Sequence, residues 1–408
     1  MEYMEEMEYV GDIPKDWKWM KVEEFAEVVS GGTPRTDKPE FWNGDIAWIT
    51  PKDLSNFKFR YIERGERNIS REGLENSNAK LLPKGTVLLS SRAPVGYLAI
   101  AKNELSTNQG FQSLIPKENV ISEFLYYLLK NNVEYLKSQA SGTTFGELSK
   151  STLKKLTFPL PPLPEQKAIA EVLSSIDDKI DLLHRQNKTL EEMAMTLFRQ
   201  WFIEPTRDGL PEGWEEVSLG DSDLSKIIPS GIKKFEGFKT YLATGDVEST
   251  LIKGGVEITY NNRPSRANMQ PEKYSVWFAK KEGVRKLLMF NDYSNIDKYI
   301  LSTGFTGLKT TELSHYYIWC FILHEDFQDI KDSLVSGSVQ PDIPNEAVLQ
   351  IFIPRPPDEV LLSFNIKVKP LFIKIQFNTP QIQTLEKLRD ILLPKLMSGE
   401  AKIMNNEQ

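Results

Sequence analysis

The sequence predicts an α+β protein: two related modules separated by a pair of long antiparallel helices, with a pseudo-twofold internal repeat. Three observations predict it. The first is a duplication, in which residues 141–197 align with 336–392 without a gap. Ser141-Gly142 falls on Ser336-Gly337, Pro159, Pro161 and Pro162 fall on Pro354, Pro356 and Pro357, and Thr189-Leu190-Glu191 falls on Thr384-Leu385-Glu386. Near the start of each half, Ile13-Pro14-Lys15-Asp16-Trp17 matches Leu210-Pro211-Glu212-Gly213-Trp214, and Leu105-Ser106-Thr107 with Gly110-Phe111 resembles Leu301-Ser302-Thr303 with Gly304-Phe305. The second is an apolar heptad stripe following each proline-rich stretch. The third is a set of short β-rich runs filling the segment before each stripe. Unlike middles on like frames suit a pseudo-dimer that reads two separated sites.

The chain divides into four segments: 1–158, 159–204, 205–353 and 354–408. In the first, Asp45–Thr50, Thr86–Ser91 and Tyr97–Ala101 read as strands between Gly and Pro turn signals. Phe124, Leu125, Leu128, Leu129, Val133 and Leu136 give an apolar helical face over Ser122–Gln139. The second opens on Pro159-Leu160-Pro161-Pro162-Leu163-Pro164, which no helix interior tolerates. Pro164 suits the first helical position and Glu165 the positive first turn. A helix to about Phe202 follows, with Ile169, Ile176, Leu183, Leu190 and Leu197 seven residues apart. Such a rod is roughly 57 Å long and needs a partner helix.

In the third segment Tyr241–Thr244, Val256–Tyr260, Ser275–Ala279 and Arg285–Phe290 read as strands. The fourth repeats the rod, with Phe364, Leu371, Asn378, Leu385 and Leu392 at the seam positions. Pro370 and Pro380 fall inside it and predict a kink or break, at ~3 kcal/mol each. Asn378, polar on the seam, suits register selection. Because the chain crosses from one module to the other along the first helix, the two helices are expected to pair antiparallel.

Composition excludes several classes. The net charge is −7, and residues 1–160, 161–204, 205–355 and 356–408 carry −1, −3, −4 and +1, so no block is basic. Binding of DNA by this chain alone is expected to be modest, with basic partners supplying part of the phosphate neutralisation. No apolar run approaches the ~20 residues of a membrane span. The acidic start (Glu2, Glu5, Glu6, Glu8) lacks a signal-peptide pattern, and Cys320 is the only cysteine, so a cytoplasmic protein without a membrane partner is expected.

No phosphate loop, dinucleotide fingerprint or amino-methyltransferase motif is present. Glu165-Gln166-Lys167 has the Glu-x-Lys spacing of a nuclease metal site, but it opens a helix without a paired upstream acid. His184, His315 and His324 are too few and too scattered for a metal site. No catalytic residue, metal or cofactor of its own is expected.

PLPPLPEQKAIAEVLSSIDDKIDLLHRQNKTLEEMAMTLFRQWF (159–202) closely resembles the central conserved region of the specificity subunits of type I restriction-modification systems. SGTTFGELSKSTLKKLTFPLPPLPEQ (141–166) resembles the end of their target recognition domains, and residues 13–54 resemble the beginning. The second half departs most at 358–380, where Asp358 stands in the place of Leu163 and Val360 in that of Glu165.

The resemblance implies a non-catalytic DNA-recognition subunit. Each target recognition domain would read one half of a bipartite, asymmetric sequence in double-stranded DNA. The helical regions would set the spacing and dock modification subunits that methylate adenine with S-adenosylmethionine. Restriction subunits would add ATP- and magnesium-dependent cleavage. Two other classes stay open: a coiled-coil scaffold without DNA readout, and a self-contained nuclease or methyltransferase.

The candidate DNA contacts are polar and basic residues at turns and strand ends. In the first half they are Thr33, Arg35, Thr50, Lys52, Lys58, Arg60, Arg92 and Thr143; in the second, Thr244, Arg263, Arg266, Lys281, Arg285 and Ser338. Arginine suits guanine, and lysine suits phosphate. A simple turn at Gly31–Arg35 and a solvated face over Lys58–Arg71 are the competing readings.

Overall fold

The computed structural model describes residues 13–55, 57–140, 146–334 and 342–403. The chain forms two compact units, residues 1–184 with 380–408, and residues 185–379. Each long helix contributes one part to each unit.

In the first unit, a five-stranded sheet runs in the order Ala26–Ser30, Gln112–Pro116, Val87–Ser91, Val95–Ala101, Tyr61–Ile62. A three-stranded sheet has Trp42–Ile49 between Arg67–Ile69 and Ser106–Thr107. The apolar face expected over Ser122–Gln139 is buried, but as two helices, Ser122–Asn131 and Val133–Ser138. They break at Asn132, whose amide donates to the Leu128 carbonyl at 2.8 Å, a side-chain alternative to the helical ladder.

The second unit has two four-stranded sheets. One runs Ser225–Ile227, Phe305–Thr310, Ser275–Ala279, Leu287–Phe290; the other runs Val256–Ile258, Lys239–Leu242, Tyr299–Ser302, Ala267–Met269. Tyr316–Leu323, the longest apolar run, lies in a helix (His315–Leu323) buried at every position.

The duplication survives as matching hydrogen bonds. Lys18–Lys21 pairs antiparallel with Thr157–Leu160, and Glu215–Ser218 with Phe352–Arg355, with Lys18 opposite Leu160 and Glu215 opposite Arg355. Trp17 N donates to Pro14 O at 3.0 Å, as Trp214 N does to Pro211 O at 3.1 Å. Ser91 N reaches Gly110 O at 2.8 Å, and Lys280 N reaches Gly304 O at 2.9 Å. Leu148 N donates to Ser91 O, and Ile343 N to Lys280 O. These bonds make Arg92 and Lys281 structural equivalents.

The first long helix spans Leu163–Phe198 and continues as a π-turn over Arg199–Ile203. The second spans Asp358–Met397. Within the first unit, Ile169 and Leu173 pack with Leu393 and Leu396, while Ile176, Ile180 and Leu183 pack with Ile382, Leu385 and Leu392. Within the second, Phe198 and Phe202 meet Phe364, and Gln186 and Asn187 meet Asn378. In both units, rising numbers on one helix meet falling numbers on the other, which makes the pairing antiparallel. Leu190, Leu197, Leu371, Leu385 and Leu392 are half-buried. Near Leu197 the buried position moves to Phe198 and Phe202, because a 3.6-residue turn drifts off a 3.5-residue repeat.

The second helix runs unbroken through Pro370 and Pro380, where a kink or a break is expected; the break does not occur. Both prolines are exposed. The hydrogen bonds they remove therefore lie on the solvent side, away from the seam, and seam burial offsets their helix cost.

Candidate nucleic-acid interface

In the first unit, the parallel pair Trp42–Ile49 and Ser106–Thr107 ends beneath three loops: Gly31–Arg35, Thr50–Asp53 and Asn108–Gly110. A Cβ at Gly31 would lie 2.0 Å from Asn108 O, and one at Gly32 2.4 Å from Ala79 N, so the first loop needs glycine to pass. Two indoles fix this loop. Trp48 Nε1 donates to Gly32 O at 2.9 Å, and Trp42 Nε1 to Arg35 O at 3.1 Å.

The structure brings Thr33, Arg35, Thr50 and Lys52 together here, each with an internal partner. Thr33 Oγ1 donates to Gln109 Oε1. Arg35 places Nε and Nη2 on the two oxygens of Asp37 at 3.1 and 2.8 Å, which raises its pKa. Thr50 donates through N and Oγ1 to Asp53 Oδ2 at 2.7 and 2.6 Å, a cap for the turn Pro51–Leu54. Lys52 pairs with Glu66 at 2.8 Å. Arg92, on the adjoining Ser91–Gly110 connection, is 3.9 Å from Glu147. Lys58 is exposed outside the cluster.

Arg60 is not a surface cation. It is 5% exposed, bonded to Tyr127 Oη at 2.9 Å and to Asp178 at 2.7 Å on the first long helix. Local sequence grouped it with its exposed neighbours, but tertiary packing turns its side chain inward.

The second unit repeats the cap with other residues: Ala243 N donates to Asp246 Oδ2 at 2.8 Å. Thr244 sits on this turn, and its carbonyl accepts from Lys286 Nζ at 2.7 Å. Arg266 lies against Gly304, where a Cβ would meet its Nη2 at 2.9 Å. The same unit has a cleft of about 1070 Å³, lined by Gly231, Lys233, Lys234, Phe235, Phe238 and Lys239 among others. Phe238 is 71% exposed. Arg263 stacks on Tyr260 at 4.1 Å. Lys281 and Arg285 belong to a different hairpin: Lys281 O accepts from buried Lys331, and Arg285 Nη2 donates to Leu323 O. Thr143 and Ser338 lie outside the described residues.

Local reasoning missed Lys233, Lys234 and Phe238, although the run Lys233-Lys234-Phe235-Glu236-Gly237-Phe238-Lys239 alternates cations and aromatics. It placed Arg67 only within the basic stretch Lys58–Arg71, without the Trp42 ring over which its guanidinium lies at 3.6 Å. No spacing rule pairs those two, because strand pairing brings them together.

The Glu-x-Lys element is structural. Glu165 Oε2 accepts from Trp17 Nε1 at 3.0 Å, and Gln166 bonds Ile121 N, Asn119 O and Pro161 O. Among the described residues, no group of three or more His, Cys, Asp or Glu is placed to hold a metal. None of their helices is long and apolar enough to cross a membrane.

A different surface lies on the outer face of the second long helix within the second unit. Leu362, Ile366, Pro370, Ile373 and Phe377 line an open groove of about 760 Å³ with Leu313. Leu362, Ile366 and Phe377 are each more than half exposed.

Comparison with known proteins agrees with this architecture. The family described as type I restriction modification DNA specificity domain matches residues 14–192. The type I restriction enzyme MjaIX specificity subunit of Methanocaldococcus jannaschii is 38% identical over 97% of this chain and 95% of its own. The HindI specificity subunit of Haemophilus influenzae is 24% identical over 94% of this chain and 99% of its own. A type I restriction-modification S subunit crystal structure from M. genitalium shares the fold, with a TM-score of 0.61 at 18% identity over 98% of this chain and 99% of that one. The chain belongs to the specificity subunits of type I restriction-modification systems, the non-catalytic DNA-recognition members of those complexes.

Proposed function

We propose that this chain reads a bipartite, asymmetric DNA target, one half through residues 1–158 and the other through 205–353. The helical regions 159–204 and 354–408 hold the two readers and dock the modification subunits. One observation carries this reading. Equivalent strand pairs, 18–21 with 157–160 and 215–218 with 352–355, close both modules, while the loops above them differ. Like frames present each reader in an equivalent way, and unlike loops read different bases.

The polar loop cluster of the first unit and the lysine–aromatic cleft of the second face double-stranded DNA. The apolar groove on the second long helix receives helices of an adenine methyltransferase subunit, since an exposed apolar stripe of this size marks a protein contact. S-adenosylmethionine belongs to that partner. ATP and magnesium belong to restriction subunits where these join.

The test is base-resolution mapping of adenine methylation in a methylation-free host expressing this chain with its modification subunit. A single split motif that disappears when this chain is omitted is the expected result. No new methylation from an assembled complex would overturn the reading.

A further inference from the structure

Most cations of the first unit's loop cluster have their donors occupied. The Nε–Nη2 edge of Arg35 lies on the two oxygens of Asp37, and Lys52 is on Glu66. Arg67 is arranged differently. It is exposed, extends from the edge strand Arg67–Ile69, and stacks its face 3.6 Å above Trp42, with Trp48 at 5.8 Å. Both indoles are buried, at 8% and 4% exposure, and meet edge to face at 5.1 Å. No carboxylate pairs with Arg67 among the described residues. Stacking uses the face of a guanidinium and leaves its in-plane N–H edges open, whereas a carboxylate consumes those edges.

The second unit has the same device. Arg263 lies 4.1 Å over Tyr260, with Nη1 donating to the Tyr260 carbonyl. Tyr260 meets Phe235 edge to face at 5.8 Å, and Phe235 lines the lysine-bearing cleft. Arg263 follows the edge strand Val256–Ile258, whereas Arg67 opens the edge strand of its own sheet. Again no carboxylate partner is found among the described residues. Each unit therefore holds an arginine stacked by its face on an aromatic beside an edge strand and without a carboxylate partner among the described residues.

We propose that Arg67 and Arg263 are specificity-determining residues, each donating in bidentate fashion to a guanine edge, one in each half-site. This rests on the split-site reading above. A guanidinium already held flat loses little conformational freedom on docking, and a pair of adjacent N–H donors, in Arg263 the Nε–Nη2 edge away from the Tyr260 carbonyl, matches O6 and N7 of guanine.

The experiment uses the assembled complex of the full chain with its modification subunit. Binding is measured on duplexes carrying the wild-type motif and on every single-base-pair variant of it. Arg67→Gln should flatten discrimination by roughly 5- to 150-fold at one base pair of the first unit's half-site and leave the other half unchanged. Arg263→Gln should do the converse. Arg67→Lys, which keeps the charge without the fork, should behave as Arg67→Gln.

An unchanged profile at every position overturns the proposal. So does equal weakening on all duplexes with a shallower salt dependence, which marks a phosphate contact. An assembled variant that binds no duplex above background overturns it as well. If the wild-type complex has no split motif, the underlying reading fails, and this inference fails with it.

Discussion

Arg389 Nη1 donates to Asp177 Oδ1 at 3.0 Å across the seam of the two long helices, with side chains only 16% and 8% exposed. The other Asp177 oxygen accepts from Tyr127 Oη at 2.7 Å, and Tyr127 in turn accepts from Arg60, which is bonded to Asp178. One buried chain of donors thus ties the helix Ser122–Asn131 to both long helices of the first unit. The duplication maps Asp177 onto Phe372, which stacks on Tyr316 with ring centroids 5.9 Å apart and planes 9° from parallel. A position that is ionic in one unit is aromatic in the other.

Breaking this pair should destabilise the first unit. Arg389→Met leaves Asp177 buried with less compensation and is expected to lower stability by about 3–5 kcal/mol. The paired change Asp177→Leu with Arg389→Met should recover most of that loss, because two buried charges leave together. Urea unfolding of Arg389→Met, Asp177→Leu and the double variant checks this. Additive losses would show that the two side chains act independently.

Asn378 Nδ2 donates to Gln186 Oε1 and Asn187 Oδ1, both at 2.8 Å, while its own Oδ1 is buried without a partner. Asn378→Leu should hold or raise the melting temperature, since it removes an unsatisfied buried acceptor. The expected penalty is register: a polar seam residue selects one pairing, and an all-apolar seam admits sliding. Cysteine crosslinking at matched and shifted helix positions would detect the slide. Crosslinks confined to the native register would contradict it.

His315 gives the second unit a pH dependence. Thr310 Oγ1 donates to the Tyr274 carbonyl at 2.8 Å, so it accepts from His315 Nδ1–H, 2.9 Å away. Nε2 is buried without a partner, and burial lowers the imidazole from 6.5 to about 3. The folded value lies below the unfolded one, so the unfolded chain takes up the proton first. The stabilisation is complete above pH 6.5 and is lost as pH falls from 6.5 towards 3. Between pH 7.5 and 5 the loss from this residue should be about 2 kcal/mol. His315→Asn should remove that share, measured as the difference between urea-unfolding free energies at the two pH values. Equal differences in wild type and variant would refute the assignment.

The outer groove of the second helix should matter to assembly and not to folding. Ile366 and Phe377 are 68% and 51% exposed, so Ile366→Glu and Phe377→Lys should leave the melting temperature of the chain alone within a degree or two. Each should weaken binding of the modification subunit by roughly 10-fold or more, as charge in an apolar contact does. Wild-type affinity in both variants would place the docking face elsewhere.

The sequence by itself determined the architecture that repeats. Local pattern encodes heptads, proline stops and turn residues, so Ile169, Ile176 and Leu183 on one helix and Phe364, Leu371 and Leu385 on the other marked the seam. Strand positions such as Ser275–Ala279 were equally legible, since alternation and turn signals are properties of neighbours in the chain.

Tertiary structure decided what each polar side chain does. Arg60 turns inward to Asp178, Arg35 is consumed by Asp37, and Arg67 is held open on Trp42, although all three are arginines in similar local surroundings. The second helix passes through Pro370 and Pro380 because both face water, an orientation set by the seam and not by the prolines. A charged group's role depends on which distant residue meets it, and that partner is fixed by strand register and helix packing.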